Sequence, residues 1–85
     1  MDTVFMLMAK YKASPTIPLD KVREDFFAGM SKTVFKDKIE SGEIPLPLVR
    51  MTEGQKSPLA VPTTDLAIFL DLKAETARKE AAKKL

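Results

Sequence analysis

The chain has 85 residues and a mass of 9.5 kDa, with 45% hydrophobic and 31% charged residues, which fits one small folded domain and not a second one. It has no cysteine and no histidine, so disulfides, thiol chemistry and histidine-based proton transfer or metal ligation are excluded. Fourteen basic and twelve acidic residues give a net charge of +2, which is too small to indicate a nucleic-acid partner by itself.

These absences make an enzyme unexpected. The twelve carboxylates stand in no motif with a nucleophile and at no metal-ligand spacing, and the glycine-rich strand-to-helix loop of phosphate sites is missing. We therefore expect no catalysis, no cofactor and no metal. The apolar stretch at residues 4–9 is far shorter than the roughly 20 residues that span a bilayer, and no basic segment precedes it as in a secretory signal. We expect a cytoplasmic protein without membrane contact.

The first predicted element is a short helix near the beginning of the chain. Asp2 or Thr3 can cap it, because either side-chain oxygen can accept from a free amide of the first turn. Val4 and Leu7 follow at helical spacing, and the helix is apolar on all sides, which predicts that it is buried. The two prolines within residues 13–18 must end it.

Two further helices with a tight connection follow. The second helix begins near Leu19, and residues 28–30 then form the connection. Ser31 reads as the N-cap of a third helix that runs to about residue 41, and Gly42 stands where a left-handed residue commonly ends a helix. Two short helices joined by about three residues with a glycine are the helix-turn-helix pattern.

The next part of the chain is predicted to be a two-stranded hairpin. Pro45 and Pro47 exclude a helix, while the apolar residues within 46–51 favour an extended strand. Residues 52–58 form a polar turn, and residues 59–61 return as the partner strand.

A last helix opens at Thr63 and Asp65 and can continue to the end of the chain. Its buried stripe is predicted to consist of Leu66, Phe69 and Leu70. We divide the chain into a folded domain at residues 1–72 and a helical extension at residues 73–85 that is rich in alanine and lysine. The extension has five basic and two acidic residues, whereas the first 72 residues have nine basic and ten acidic ones.

This order of elements is that of a winged helix-turn-helix domain of the excisionase type. We therefore predict a mainly α fold with a small β-hairpin and a C-terminal helix. In such a domain a helix fits the major groove of B-form DNA, and the hairpin reaches the backbone or the adjacent minor groove.

The third helix is the predicted reader of DNA. We expect Val34, Phe35 and Ile39 on its buried side, with a polar face opposite. The predicted DNA-binding residues on this helix are Lys32, Thr33, Lys36, Asp37 and Lys38. Lys32 and Thr33 lie near the N-terminus of the helix, where they can meet base edges or phosphates. Lys36 can pair with guanine, and Asp37 can accept a hydrogen bond from a cytosine amine. Lys38 lies nearer the buried side and is expected to reach a phosphate.

The hairpin supplies the other predicted contacts. Arg50 at its base and Gln55, Lys56 and Ser57 at its tip collect hydrogen-bond donors around a glycine turn, as binding to phosphate oxygens requires. However, a solvated hairpin tip has a similar composition, and a helix face with alternating charges is usually only a solvated face. From these residues alone, both interpretations stay open.

Five stretches of the chain are distinctive: TVFMLMAKY at residues 3–11, IPL at 17–19, KIESGEIPLPLVR at 38–50, QK at 55–56 and DLAIFLD at 65–71. Together they resemble the PrtN family of pyocin activator proteins. The stretches occur in the family's order and at similar spacings over nearly the whole chain.

The resemblance implies sequence-specific binding to promoter DNA and activation of transcription. The genes would be those of bacteriocin or phage-tail-like clusters, in a system that DNA damage switches on. By position, Lys38, Arg50, Gln55 and Lys56 match the family pattern. The implied partners are double-stranded promoter DNA and RNA polymerase, and the implied location is the nucleoid.

Two other functions fit the same predicted fold. An excisionase-like architectural protein would bend phage DNA without recruiting polymerase, and a small protein-binding inhibitor would use the fold as a scaffold. A homodimer could form through the first or the last helix. On the first helix, Phe5, Met6 and Met8 cannot all face inward, so they either complete a small core or supply a dimer contact.

Overall fold

The computed structural model describes residues 2–53 and 58–84, which form four helices and a small three-stranded sheet. In chain order the elements are α1 (Thr3–Lys10), β1 (Thr16–Pro18), α2 (Leu19–Phe26), α3 (Lys32–Glu40), β2 (Val49–Arg50), β3 (Leu59–Pro62) and α4 (Thr63–Lys83). The mainly helical fold is confirmed, and the arrangement is that of a small helix-turn-helix domain with a wing.

The sheet has one strand more than the predicted hairpin. β3 is central, with β1 and β2 antiparallel on either side. The proline-rich stretch that ends α1 forms β1, in which Ile17 lies opposite Val61, and both side chains are fully buried. Proline is compatible with this strand because an edge strand leaves some amides without a partner in any case.

The strand predicted at residues 46–51 is much shorter than expected. Only Val49 and Arg50 pair with β3, and Met51 lies exposed beyond them. Leu46 lies in an irregular segment before β2, and its side chain is buried in the core. Its amide donates to the carbonyl of Ile44 at 2.8 Å. The flanking prolines lack amide donors, which prevents the ladder from extending in this direction.

The core joins all four helices to the sheet. Its buried hydrophobic residues are Leu7, Ile17, Val22, Phe35, Ile39, Ile44, Leu46, Val61, Leu66, Ala67 and Phe69. The ring of Phe27, which follows α2, lies between Phe35 of α3 and Phe69 of α4, with ring centroids 4.7 and 5.8 Å away. Aromatic contacts of this kind add to the burial energy and fix α3 against the rest of the domain.

The prediction that α1 is buried on all sides is wrong. Leu7 is the one buried residue among those described in this helix, while Phe5 and Met6 are 68% and 48% exposed. The helix lies on the surface against α4, so only one of its faces is covered. Its start is as predicted, because the Asp2 carboxylate accepts from the Val4 amide at 3.0 Å.

The end of α1 is held against α2 by a polar cluster. The Tyr11 hydroxyl donates to Asp25, and Lys10 lies 3.8 Å from the same carboxylate. Burial raises the pKa of the Tyr11 hydroxyl well above its ordinary value, and the hydrogen bond to Asp25 raises it further. The hydroxyl therefore stays protonated and keeps donating throughout the neutral pH range.

The first turn of α4 differs from the predicted cap. The helix begins at Thr63, but Pro62 occupies the cap position and no side chain caps the helix. The Thr63 hydroxyl instead donates to the carbonyl of Ser14 at 2.7 Å, and its amide donates to the carbonyl of Pro15 at 2.9 Å. Thr63 thus ties the start of α4 to the segment before β1. From there α4 runs unbroken to Lys83, through the boundary drawn at residue 72.

Both ends of α3 are formed as predicted. The Ser31 hydroxyl accepts from the Val34 amide at 3.2 Å, and Gly42 follows the helix with a φ of +86°. A residue with a side chain is strained at that φ, whereas glycine is not.

We expect Gly42→Ala to lower the free energy of unfolding by about 1 kcal/mol because alanine resists the left-handed conformation. Gly29→Ala is the matched control, since Gly29 has an ordinary φ and a methyl group at either position would meet no atom within 4 Å. The control should be neutral or slightly stabilising. Urea unfolding of the two variants checks this, and equal losses would contradict the backbone explanation.

No helix in the described ranges 2–53 and 58–84 is long and apolar enough to cross a membrane.

Candidate nucleic-acid interface

The polar side of α3 lies between the base of the wing and α4. On one side, Lys32 and Lys36 line a cleft together with Pro58 and Leu59 at the start of β3. On the other side, Lys38 lines a second cleft with residues of α4; its lining residues are Phe27, Met30, Lys38, Glu43, Ile44, Phe69 and Lys73. The wing and α4 therefore flank α3, as an extended ligand lying along this helix would require.

Each of the three predicted lysines on α3 is paired with a carboxylate. The Lys32 ammonium lies 3.0 Å from Asp20 of α2, and the Lys38 ammonium lies 2.9 Å from Glu43. Lys36 lies 3.7 Å from Glu40, one turn along the same helix. The positive charge of this surface is thus locally balanced.

The pair between α2 and α3 has a clear electrostatic effect. The hydrogen bond from Lys32 lowers the pKa of Asp20, and the nearby charges of Lys32 and Arg23 act in the same direction. A lowered pKa means that the pair stabilises the fold at neutral pH and that this contribution is lost only as the pH falls through the lowered value. Asp20 is therefore a carboxylate that holds Lys32 under physiological conditions.

Two of the remaining predictions for α3 agree with the structure, and one does not. Thr33 and Asp37 lie exposed on the polar face, as expected. Val34 was predicted on the buried side, but it is 44% exposed. The buried face is narrow and centred on Phe35 and Ile39, and at 100° per residue Val34 falls outside it. The exposed face of α3 is therefore wider than expected and includes one apolar side chain.

The structure describes the base of the wing. Arg50 lies exposed in β2, opposite Leu59 of β3. The predicted tip residues Gln55, Lys56 and Ser57 lie outside the described residues. The structure thus places one of the four predicted wing contacts on the surface beside β3, and the other three stay predictions.

Sequence reasoning did not find the carboxylates that face the lysines. Glu40, the partner of Lys36, could have been found from the i, i+4 spacing of the two residues, which favours such pairs on a helix. Asp20 and Glu43 could not have been found in this way, because they reach α3 from the preceding helix and from the following turn. Arg23 was also missed: it donates to the carbonyl of Met30 at 3.1 Å and so fixes the turn between α2 and α3.

A family model described as pyocin activator protein PrtN matches residues 3–77. The chain belongs to this family. No curated protein and no solved structure shows significant similarity to the chain. The match includes every predicted contact residue of α3 and the wing, and it ends within α4. The resemblance to PrtN is therefore confirmed, and the protein is a regulator of the pyocin activator type.

Proposed function

We propose that this protein is a sequence-specific DNA-binding activator of transcription. Its targets are promoters of bacteriocin or phage-like genes, and its setting is the response to DNA damage in the bacterial cytoplasm and nucleoid. It acts without catalysis. The observation that carries the proposal is the exposed polar face of α3, flanked by a wing, in a chain that the PrtN family model matches over residues 3–77.

In this proposal α3 lies in the major groove and reads base edges. Thr33, Lys36 and Asp37 are exposed or half-exposed on one face and offer both donors and an acceptor, which base discrimination needs. Arg50 and the tip residues of the wing contact the sugar-phosphate backbone and set the register of the helix on the duplex.

The paired lysines exchange partners when DNA binds. Lys32 and Lys36 are substantially exposed, with 71% and 45% of their side chains accessible. Exposed ion pairs contribute only about 0–1 kcal/mol, so a phosphate can replace the carboxylate at little cost. The carboxylates then repel phosphates that do not match the geometry, which favours specific over nonspecific binding.

Exposed apolar side chains offer surfaces for protein partners of the activator. They are Phe5 and Met6 on α1 and Ile68 and Leu72 on α4. Such side chains are suited to a contact with RNA polymerase or with a second copy of the chain. The homodimer and the polymerase contact stay predictions of this proposal.

The experiment that tests the proposal is affinity selection of sheared host DNA at low and at near-physiological salt. Enrichment of a few fragments that share one element and survive the higher salt is the expected result, because base contacts add to the salt-sensitive phosphate term. Retained fragments beside bacteriocin or phage genes should then respond to the protein in a promoter-reporter assay. Uniform retention at low salt and none at high salt would contradict sequence-specific binding. Altered DNA bending with no change in transcription would favour the architectural alternative.

We expect Asp20→Asn to strengthen DNA binding by up to about fivefold at about 0.1 M salt. The substitution removes an exposed ion pair, worth about 0–1 kcal/mol, that Lys32 gives up when it meets a phosphate, and it leaves the number of phosphate contacts and hence the salt slope unchanged. Glu24→Gln is the matched control, because it removes the same charge from the same helix but releases Lys21 instead. Fluorescence anisotropy titrations over a salt series measure the affinity and the salt slope of both variants. Equal effects of the two variants would show that Lys32 does not meet a phosphate.

A further inference from the structure

α4 continues well beyond the core of the domain. The last buried residue is Phe69, Ala74 is half-buried, and every described residue from Glu75 onward is exposed. The radius of gyration is 14.2 Å, against about 12 Å for a compact chain of this length. We call residues 75–84 the C-terminal arm.

The arm is helical without packing against the domain. Its residues are almost all strong helix formers, and the Arg78 guanidinium lies 3.7 Å from Glu75, an i, i+3 pair that supports the helix locally. A helix of this kind is marginal on its own in water, since most helical stability comes from tertiary contacts. A partner that orders the arm would therefore stabilise it.

The charges of the arm differ from those of α3. Lys79, Lys83 and Lys84 have no ion pair within the described parts of the chain, whereas the lysines of α3 are each held by a carboxylate. Lys79 and Lys83 are one turn apart and lie on the same face of the helix. An anion can bind these lysines without first breaking a contact inside the protein.

The position of α4 brings the arm to the flank of α3. Lys73 and Phe69 line a cleft with Lys38 and Glu43, so the arm leaves the domain beside the C-terminal end of α3. The wing lies on the other flank, where Lys36 lines a cleft with Leu59. A duplex seated on α3 thus has the wing on one side and the base of the arm on the other.

We propose that the C-terminal arm is a second phosphate clamp, which binds the DNA backbone through Lys79 and Lys83 on the flank opposite the wing. This inference rests on the proposed DNA binding and adds a contact that lies beyond residue 77, where the family match ends. Its ligand is the polyanionic backbone of a DNA duplex, independent of base sequence.

Charge favours DNA over a second copy of the chain. Two arms packed along their small residues Ala77 and Ala81 would bring together two helices that each carry four basic and two acidic residues. Alanine side chains bury little apolar surface to offset that repulsion. A duplex has the complementary charge.

The test compares the full chain with Lys79→Gln/Lys83→Gln, which removes two charges and keeps good helix formers. The probe is a short duplex of arbitrary sequence, titrated over a salt series. The slope of log K against log salt should fall by about two units in magnitude. Lys10→Gln/Lys12→Gln is the control with the same change in net charge, placed at and just after the end of α1, and it should keep the slope. Circular dichroism checks that the helix content is unchanged.

The outcomes separate this inference from the proposed function. Wild-type binding with an unchanged slope in the arm variant would overturn the clamp alone. A shift in the sedimentation coefficient of the arm variant, with its DNA slope unchanged, would likewise overturn it and assign the arm to self-association. Absence of salt-dependent binding by the wild-type chain would overturn DNA binding and the clamp together.

Discussion

Replacing Phe35 with alanine should lower the free energy of unfolding by about 3–5 kcal/mol, the usual cost of truncating a buried phenylalanine. The side chain is 1% exposed, and its ring lies 4.7 Å from that of Phe27 between centroids. Small domains are typically stable by only about 5–15 kcal/mol, so this one change should remove a large part of the total. Chemical denaturation followed by far-ultraviolet circular dichroism measures the loss.

Val34→Ala is the control for this prediction because it shortens the adjacent side chain on the exposed side of the same helix. Val34 is 44% exposed, and its truncation should change the stability by less than about 1 kcal/mol. Similar losses for the two variants would contradict the narrow buried face that the structure gives α3.

Removing one predicted base contact and two predicted phosphate contacts together should nearly abolish DNA binding at moderate salt. For Lys36→Ala/Arg50→Ala/Lys56→Ala we expect the salt slope to fall by about two units in magnitude, one each for Arg50 and Lys56, and the affinity to fall about 10²- to 10³-fold at about 0.1 M salt. Filter binding or anisotropy over a salt series provides both quantities.

The charge-conserving variant Lys36→Arg/Arg50→Lys/Lys56→Arg separates loss of charge from loss of fold. It keeps the cations that phosphates require and should retain most of the slope, although bidentate contacts would be altered. An alanine variant that is folded and binds DNA with the wild-type slope would overturn the assignment of these residues and favour a protein-binding role.

The local signals in the sequence predicted the helices well. Ser31 and Gly42 marked the two ends of α3, and Asp2 marked the start of α1, because caps depend on one residue and its immediate neighbours. Of the three residues predicted on the buried side of α3, Phe35 and Ile39 are buried and Val34 is not.

Features that depend on distant parts of the chain were not predictable in the same way. β1 exists because Ile17 meets Val61, and a short stretch between prolines does not indicate that partner. The exposure of Phe5 depends on how α1 lies on α4, which composition does not determine. The pairing of Lys32 with Asp20 required the relative position of two helices.

In the candidate site, the sequence predicted which polar residues share the exposed face of α3. It did not predict that the surface is nearly neutral, since that depends on carboxylates contributed by α2 and by the turn after α3. The side chains that share one helix face follow from their positions along the helix, whereas local charge balance depends on tertiary structure.

The pairing of β1 with β3 also governs when the domain can form. Ile17 and Val61 are separated by about half of the chain, so their contact closes a long loop, and the entropy of that closure must be offset before the sheet is stable. The helix-turn-helix is synthesised before β3 and α4, yet Ile17 and Phe35 are buried only with them. During translation α3 therefore gains its full support only after β3 and the first two turns of α4 have left the ribosome.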